Sequence, residues 1–325
     1  MSMENKAKES AGTERMKHIK IGIQPTGWTN DDFPEIGNDT PYQLILDQTR
    51  QTGFVGGSTG HNYPSHLQSL QHDLQSRGLG ITSTWVGTQF TALGGYDATL
   101  QTVRDQITFL KAVGATDIVV AELAAAVNQV RTKSVLTDRP TFNEPQKFLL
   151  YRGLNEAGKM AADEGMRLSF HSHVGTGVQQ KEETADLLAN TDPKYVWFCL
   201  DSGHIQFAGD DPGVVAQTHA TRIGHVHLKS VRQKVVDAAT NDNYSFLRAI
   251  LEGVFTVPGD PEGSVNFDPI FKALFEANYE GWIVVEAEQD PHQTDRPRSL
   301  LNYTPHTPFE YAEMARRFIR SKICL

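Results

Sequence analysis

The sequence predicts an α/β fold, specifically a closed parallel (β/α)8 barrel, and three observations predict it. Short β-rich runs recur at intervals long enough to hold a helix; there are eight of them; and the amphipathic stretches between them end in glycine-bearing turns that lead straight into the next run. The runs are HIKIGIQ (18–24), GFVGGS (53–58), GITSTW (80–85), DIVVAE (117–122), RLSFHSH (167–173), YVWFCLD (195–201), RIGHVHL (222–228) and GWIVVEAE (281–288). Helical periodicity marks 42–52, 100–113, 149–164 and 268–277, and the turns QTGF, SRGLG, AVGATD, DEGMRL and NYEGW supply the breaks. An open doubly wound sheet is the alternative, but no glycine-rich dinucleotide fingerprint follows the first run. Two long insertions, 123–148 and 229–266, follow the fourth and seventh runs, on the face where barrels of this kind carry their sites.

Length and composition agree with that architecture. A chain of 325 residues with 39% hydrophobic content buries one large core. No linker or composition shift divides it, so residues 19–325 are expected to form a single catalytic barrel behind a flexible tail at 1–18, within which Met16 offers an alternative start. The net charge of −9 and the absence of a Lys/Arg block argue against nucleic acid or an anionic membrane as partner, leaving a small polar molecule. No apolar run approaches the ~20 residues of a membrane span, and the N-terminus lacks a secretory apolar core. Cys199 and Cys324 make no disulfide framework, so a cytoplasmic chain is expected.

Four of the last strands end on metal-ligating residue types: His171, Asp201, His227 and Glu286. Barrel strand positions are ordinarily filled by Val, Ile and Leu. Two carboxylates delivered to one quadrant of a barrel mouth need a compensating cation, and a divalent metal supplies it. Mixed imidazole and carboxylate ligation favours Mn²⁺ or Co²⁺ over Zn²⁺ and Mg²⁺.

The motifs FHSHVGT, LDSGH, HVHLKSV and GWIVVEAEQDP, with the first-strand segment GIQPTGWTNDDFPEIG and FTVPGD (255–260), carry a resemblance. The chain resembles the xylose-isomerase-like TIM barrels of the sugar isomerase/epimerase superfamily and, more narrowly, the inosose dehydratases, metal-dependent lyases of inositol catabolism acting on 2-keto-myo-inositol. The resemblance runs from about residue 19 to 313. It implies a hydro-lyase acting on a keto-polyol, and a homo-oligomer. In most of the superfamily the fifth strand ends on a glutamate that binds metal and shuttles a proton; His171 stands in that place, and His173 matches the histidine that follows. Because a metal-bound imidazole keeps no lone pair for a proton, elimination survives this exchange better than two-base epimerisation. Ser58 stands where inosose dehydratases tend to carry glutamate, HSH replaces three consecutive histidines, and GDPEGSVNF is longer than the usual turn.

Further candidates follow from position. Glu286, His204, Lys229 and Glu122 are the expected acid–base groups: Glu122 closes the fourth strand, His204 follows Asp201 by three residues and lines the pocket in look-alikes, and Lys229 lies just past His227. Trp28, Asn30, Asp31, His61, Trp85, His173 and Arg232 are the expected substrate contacts, with ordinary rim packing as the alternative for Trp28, a core position for Trp85 and a solvated rim for Lys229 and Arg232. Strand alternation puts Glu288 on the same face as Glu286. The same metal site would also serve a ketose isomerase or epimerase, and a polyol-binding barrel without chemistry is the reading from a different class.

Overall fold

The structure, a computed structural model, describes residues 18–295 and 303–323. The expectations placed on the N-terminal tail, Met16 and Cys324 lie outside the described residues, save His18. All eight predicted runs become strands: β1 (Ile19–Ile23), β2 (Gly56–Gly57), a third strand in two pieces, β3 (Gly80–Ile81) and β4 (Thr84–Thr88), then β5 (Asp117–Glu122), β6 (Arg167–His171), β7 (Val196–Asp201) and β8 (Ile223–Leu228). A short antiparallel pair, β9 (Ser230–Val231) and β10 (Phe255–Thr256), precedes the eighth barrel strand, β11 (Gly281–Val285).

Parallel pairing runs β4-β5-β6-β7-β8-β11-β1, and the ring closes through β2. There Val55 N–H donates to the Ile21 carbonyl at 3.0 Å, while Gly80 and Thr82 donate to the Val55 and Gly57 carbonyls, each at 3.0 Å. This seam tolerates only glycine. A Cβ on Gly56 would lie 2.4 Å from the Gly80 carbonyl oxygen, one on Gly57 2.4 Å from that of Ile23, and one on Gly22 2.9 Å from that of Gly56. The strands meet backbone to backbone because no side chain stands between them.

The described helices are α1 (Tyr42–Gln51), α2 (Leu67–Arg77), α3 (Gly95–Val113), α4 (Glu144–Asp163), α5 (Lys181–Ala189), α6 (Ser202–Phe207), α7 (Pro212–His219), α8 (Gln233–Asn241), α9 (Phe246–Leu251), α10 (Asp268–Glu276) and α11 (Pro308–Ile323). Two begin five residues before the periodicity suggests. At α4 the cause is a capping box: Asn143 accepts from Gln146 N–H while the Gln146 side chain accepts from Asn143 N–H, with proline in the first turn. The third strand also differs from expectation. It breaks at residues 82–83 and continues to Thr88, so Trp85 sits near its middle, one of the exposed positions of an alternating burial pattern. No helix among the described residues is long and apolar enough to cross a membrane.

The register positions the site. Asp201 lies directly across from His227, His171 across from Cys199, and Val285 across from Leu228. Glu286 prolongs the last ladder by donating its N–H to the Leu228 carbonyl at 3.1 Å. Three consecutive parallel strands and the start of the loop after a fourth thus end at one level.

Candidate metal centre and pocket

His171, Asp201, His227 and Glu286 each offer a ligand atom, and these atoms all lie within 4.8 Å of one another. His171 Nε2 is 3.2 Å from Asp201 Oδ2, and His227 Nδ1 is 3.6 Å from the same oxygen. His227 Nδ1 also approaches Glu286 Oε2 to 2.5 Å, yet neither atom is in hydrogen-bond geometry, and His171 Nδ1 has no partner either. Buried polar atoms without partners are rare, and a convergent set of them suits a cation. The charges point the same way. Asp201, Glu286 and Glu288 surround one ammonium, Lys229, at 3.3, 3.6 and 2.6 Å, leaving two negative charges that a divalent ion would neutralise. Burial pushes the His171 imidazole down to about 4, against the pull of Asp201, so the ring is neutral and fit to ligate.

The LDSGH motif explains how Asp201 does this. Its Oδ1 caps α6, accepting from Gly203 N–H at 2.9 Å and His204 N–H at 2.8 Å, while Oδ2 faces the histidines. Burial alone would raise this carboxyl; Lys229, then His204 and hydrogen bonds from the other histidines, hold it well below the carboxylate range. Ser202 Oγ donates to the Lys229 carbonyl at 2.7 Å and accepts its N–H at 3.0 Å. Gly203 leaves room for the Lys229 stem, which a Cβ would meet at 2.4 to 2.8 Å. His204 then projects into the pocket.

A pocket of about 670 Å³, counting its open mouth, lies above this cluster. Its lining includes Gln24, Thr26, Asn30, Asp31, Asp32, Ser58, Thr84, Trp85, His171, His173, His204, His227, Glu286 and Glu288. His204 Nε2 faces Glu288 Oε1 at 3.2 Å, and the His173 and His204 rings pack with centroids 3.9 Å apart. His173 Nδ1 donates to the Val174 carbonyl at 2.7 Å, which leaves Nε2 as the ring nitrogen free of that contact. Trp85 is 43% exposed and meets His171 edge-on. Asp31 receives both the backbone N–H and Nδ1 of His61, at 2.9 and 2.8 Å.

Five expected residues stand elsewhere. Glu122 is fully buried and faces the loop after β4, accepting from Thr88 Oγ1, the Phe90 and Thr91 N–H groups and Thr91 Oγ1; with four donors on its carboxylate it is a loop anchor. Trp28 is 2% exposed and donates Nε1 to Gln48, so it packs in the core. Arg232 is a buried hub: it donates to the carbonyls of Gly253 and Phe255, to Thr256, to Asp260 and to the Tyr311 hydroxyl of α11. Its guanidinium also lies over the Tyr303 ring, 4.1 Å from the centroid. This accounts for FTVPGD, whose Phe255 walls His204 and underlies the Lys229 ammonium. Lys229 is wholly enclosed and lines no part of the pocket, and His61 stands behind Asp31. Asp32 was not anticipated. It lines the pocket, receives Asn128 and Gln129 from the first insertion at 3.1 and 2.9 Å, and burial raises its carboxyl. Its only signal was adjacency to Asp31 in GWTNDD.

Comparison with known proteins agrees with the geometry. The sequence model of the xylose isomerase-like TIM barrel family matches residues 46–320. An inosose dehydratase of Geobacillus thermodenitrificans (strain NG80-2) is 41% identical over 302 residues, covering 93% of this chain and 96% of the relative. An inosose dehydratase of Clostridium botulinum (strain Alaska E43 / Type E3) is 39% identical over 304 residues, covering 94% and 97%. Among solved structures, the IOLI protein with a binding zinc atom superposes with a TM-score of 0.67 at 14% identity, over 94% of this chain and 98% of that one, and so shares the barrel.

Proposed function

The chain belongs to the xylose isomerase-like TIM barrel family and, within it, to the inosose dehydratases, and on that premise we propose that it eliminates water from a keto-cyclitol such as 2-keto-myo-inositol. The observation that carries this reading is the convergence of His171, Asp201, His227 and Glu286 beneath an open pocket lined by polar side chains. These four side chains would hold a divalent ion, Mn²⁺ or Co²⁺ before Zn²⁺ or Mg²⁺ on the strength of the mixed donor set. When bound, the ion supplies Lewis-acid polarisation of the substrate ketone, which acidifies the neighbouring C–H.

The protein's own groups then move the proton. Glu288, as a carboxylate, only accepts, so His204 carries its proton on Nε2 toward Oε1, and the partnerless Nδ1 holds the lone pair. Burial, joined by His173 and Lys229, lowers His204 well below the usual imidazole range and keeps it neutral until substrate arrives. His204 takes the α-proton, Glu288 steadies the imidazolium, and the proton passes to the departing β-hydroxyl. One C–H and one C–O bond break, a C=C bond forms, water leaves, and the enol tautomerises to a dione. His173 Nε2 accepts from a substrate hydroxyl beside it. Lys229 balances the carboxylates rather than donating protons. His171, in a place where a glutamate would offer a second base, supports elimination over epimerisation. We place the reaction in the cytoplasm, on a soluble metabolite.

Exhaustive chelation should abolish conversion of 2-keto-myo-inositol, followed by loss of water in the mass of the product, and Mn²⁺ or Co²⁺ should restore it. Full turnover in the stripped protein would overturn the metal role.

A further inference from the structure

The pocket mouth has two chemically different halves. The strands β6, β7, β8 and β11 carry the imidazoles with Glu286 and Glu288, whereas the side around the loop after β1 and β4 carries the neutral Thr26, Asn30 and Thr84 beside Asp31 and Asp32, with no imidazole in the described lining. Each of these three residues lines the pocket, and each has a buried polar atom without a hydrogen-bond partner: Thr26 Oγ1, Asn30 Nδ2 and Thr84 Oγ1. The Asn30 amide cannot turn over. Its Oδ1 accepts the N–H groups of Asp32 and Phe33, both at 2.9 Å, so the NH₂ end is committed as a donor with no acceptor supplied by the protein, on a side chain 1% exposed. Among the described residues no lysine or arginine lines the pocket, while Asp31, Asp32, Glu286 and Glu288 do.

We propose that Thr26, Asn30 and Thr84 form a hydroxyl-reading subsite that grips the ring remote from the reacting ketone, admitting an uncharged cyclic polyol and refusing its phosphate ester. This rests on the dehydratase reading, which puts the ketone at the metal half. A ring hydroxyl both donates and accepts, so it satisfies two threonine hydroxyls and a fixed amide donor alike. A phosphate carries nearly two negative charges toward four carboxylates, with no guanidinium or ammonium in the described lining to meet it. Trp85, exposed at the rim, offers an apolar face to the C–H side of the same ring.

The test uses the metal-loaded full chain and calorimetric binding of 2-keto-myo-inositol, its monodeoxy analogues and its monophosphates, alongside kcat and KM. Thr26→Val and Thr84→Val remove only the hydroxyl, and Asn30→Asp keeps the accepting oxygen while replacing the donor. Each is expected to weaken binding and raise KM by ~3–10-fold with little change in kcat. In the unmutated protein at least one deoxy analogue should lose the same factor, and that analogue should suffer no further loss in the matching variant. The monophosphates should bind ~100-fold or more weakly than the parent. The subsite is refuted by deoxy analogues that all bind like the parent, or by a monophosphate that binds as tightly. The ligand series on the unmutated chain decides the matter even where a variant misfolds. Because calorimetry needs no turnover, a protein that binds these polyols selectively but does not dehydrate 2-keto-myo-inositol would overturn the dehydratase reading and leave the subsite standing.

Discussion

At the scale of single residues, position at a strand end and orientation into the pocket proved to be separate matters. His171 and Glu122 both close barrel strands, but one faces three other ligand types and the other is consumed by four loop donors. Their substitutions should therefore diverge. His171→Ala is expected to lower metal affinity by more than the ~10–100-fold typical of outer partners, and activity with it, as read by metal titration and turnover. His171→Glu should keep the metal and reduce dehydration. Glu122→Ala should instead cost about 1–3 kcal/mol for each stranded donor, seen in chemical denaturation, with kcat preserved in the folded fraction. Strand alternation makes the convergence of His171, Asp201, His227 and Glu286 legible because it is backbone geometry repeated eight times. Whether a carboxylate is already occupied depends on loop amides whose positions no periodicity encodes, which is also why Asp32, bridged by Asn128 and Gln129 from a distant insertion, gave no signal beyond its adjacency to Asp31.

At the scale of elements, the first turn of α6 and the segment around β10 convert two sequence motifs into supports. Gly203→Ala should push the Lys229 stem off the helix, costing about 1–3 kcal/mol in overpacking and weakening metal binding by displacing the ammonium that balances Asp201 and Glu288. Denaturation and metal titration on the same variant would show both losses together. Arg232→Lys retains the charge but not the fork. It should cost about 1–3 kcal/mol for buried acceptors left without a donor, and raise KM through the Phe255 wall, measured by urea unfolding and steady-state kinetics. The sequence offered Arg232 as a substrate contact, and the structure encloses it behind the pocket wall instead. Its enclosure by an insertion and the C-terminal helix is a tertiary fact that neither composition nor spacing records.

For the whole molecule, eight strands, their order of appearance and the short αβ turns were readable because each βα unit repeats the same local code. The break in the third strand and the early start of α4 were not, since a strand kink and a capping box interrupt periodicity without announcing it. Metal should act on the whole fold by mass action: an ion held only by the native state adds about 2.7 kcal/mol at a hundredfold excess over Kd. A thermal melt should rise by several degrees with Mn²⁺ or Co²⁺ and return to baseline on chelation, and His171→Ala should erase the difference. The glycine seam gives the barrel a further property, an uneven stiffness. Where β1, β2 and β3 touch through bare backbone, no interlocked side chains resist separation, so the wall should breathe there first, with the amides of Val55, Gly80 and Thr82 trading deuterium sooner than those of β7 and β8. The rigid arc of the ring then carries the four candidate ligands, and the compliant arc carries Thr26 and Asn30 with Asp31 and Asp32, so that an arriving ring meets a fixed anvil on one side and a yielding wall on the other.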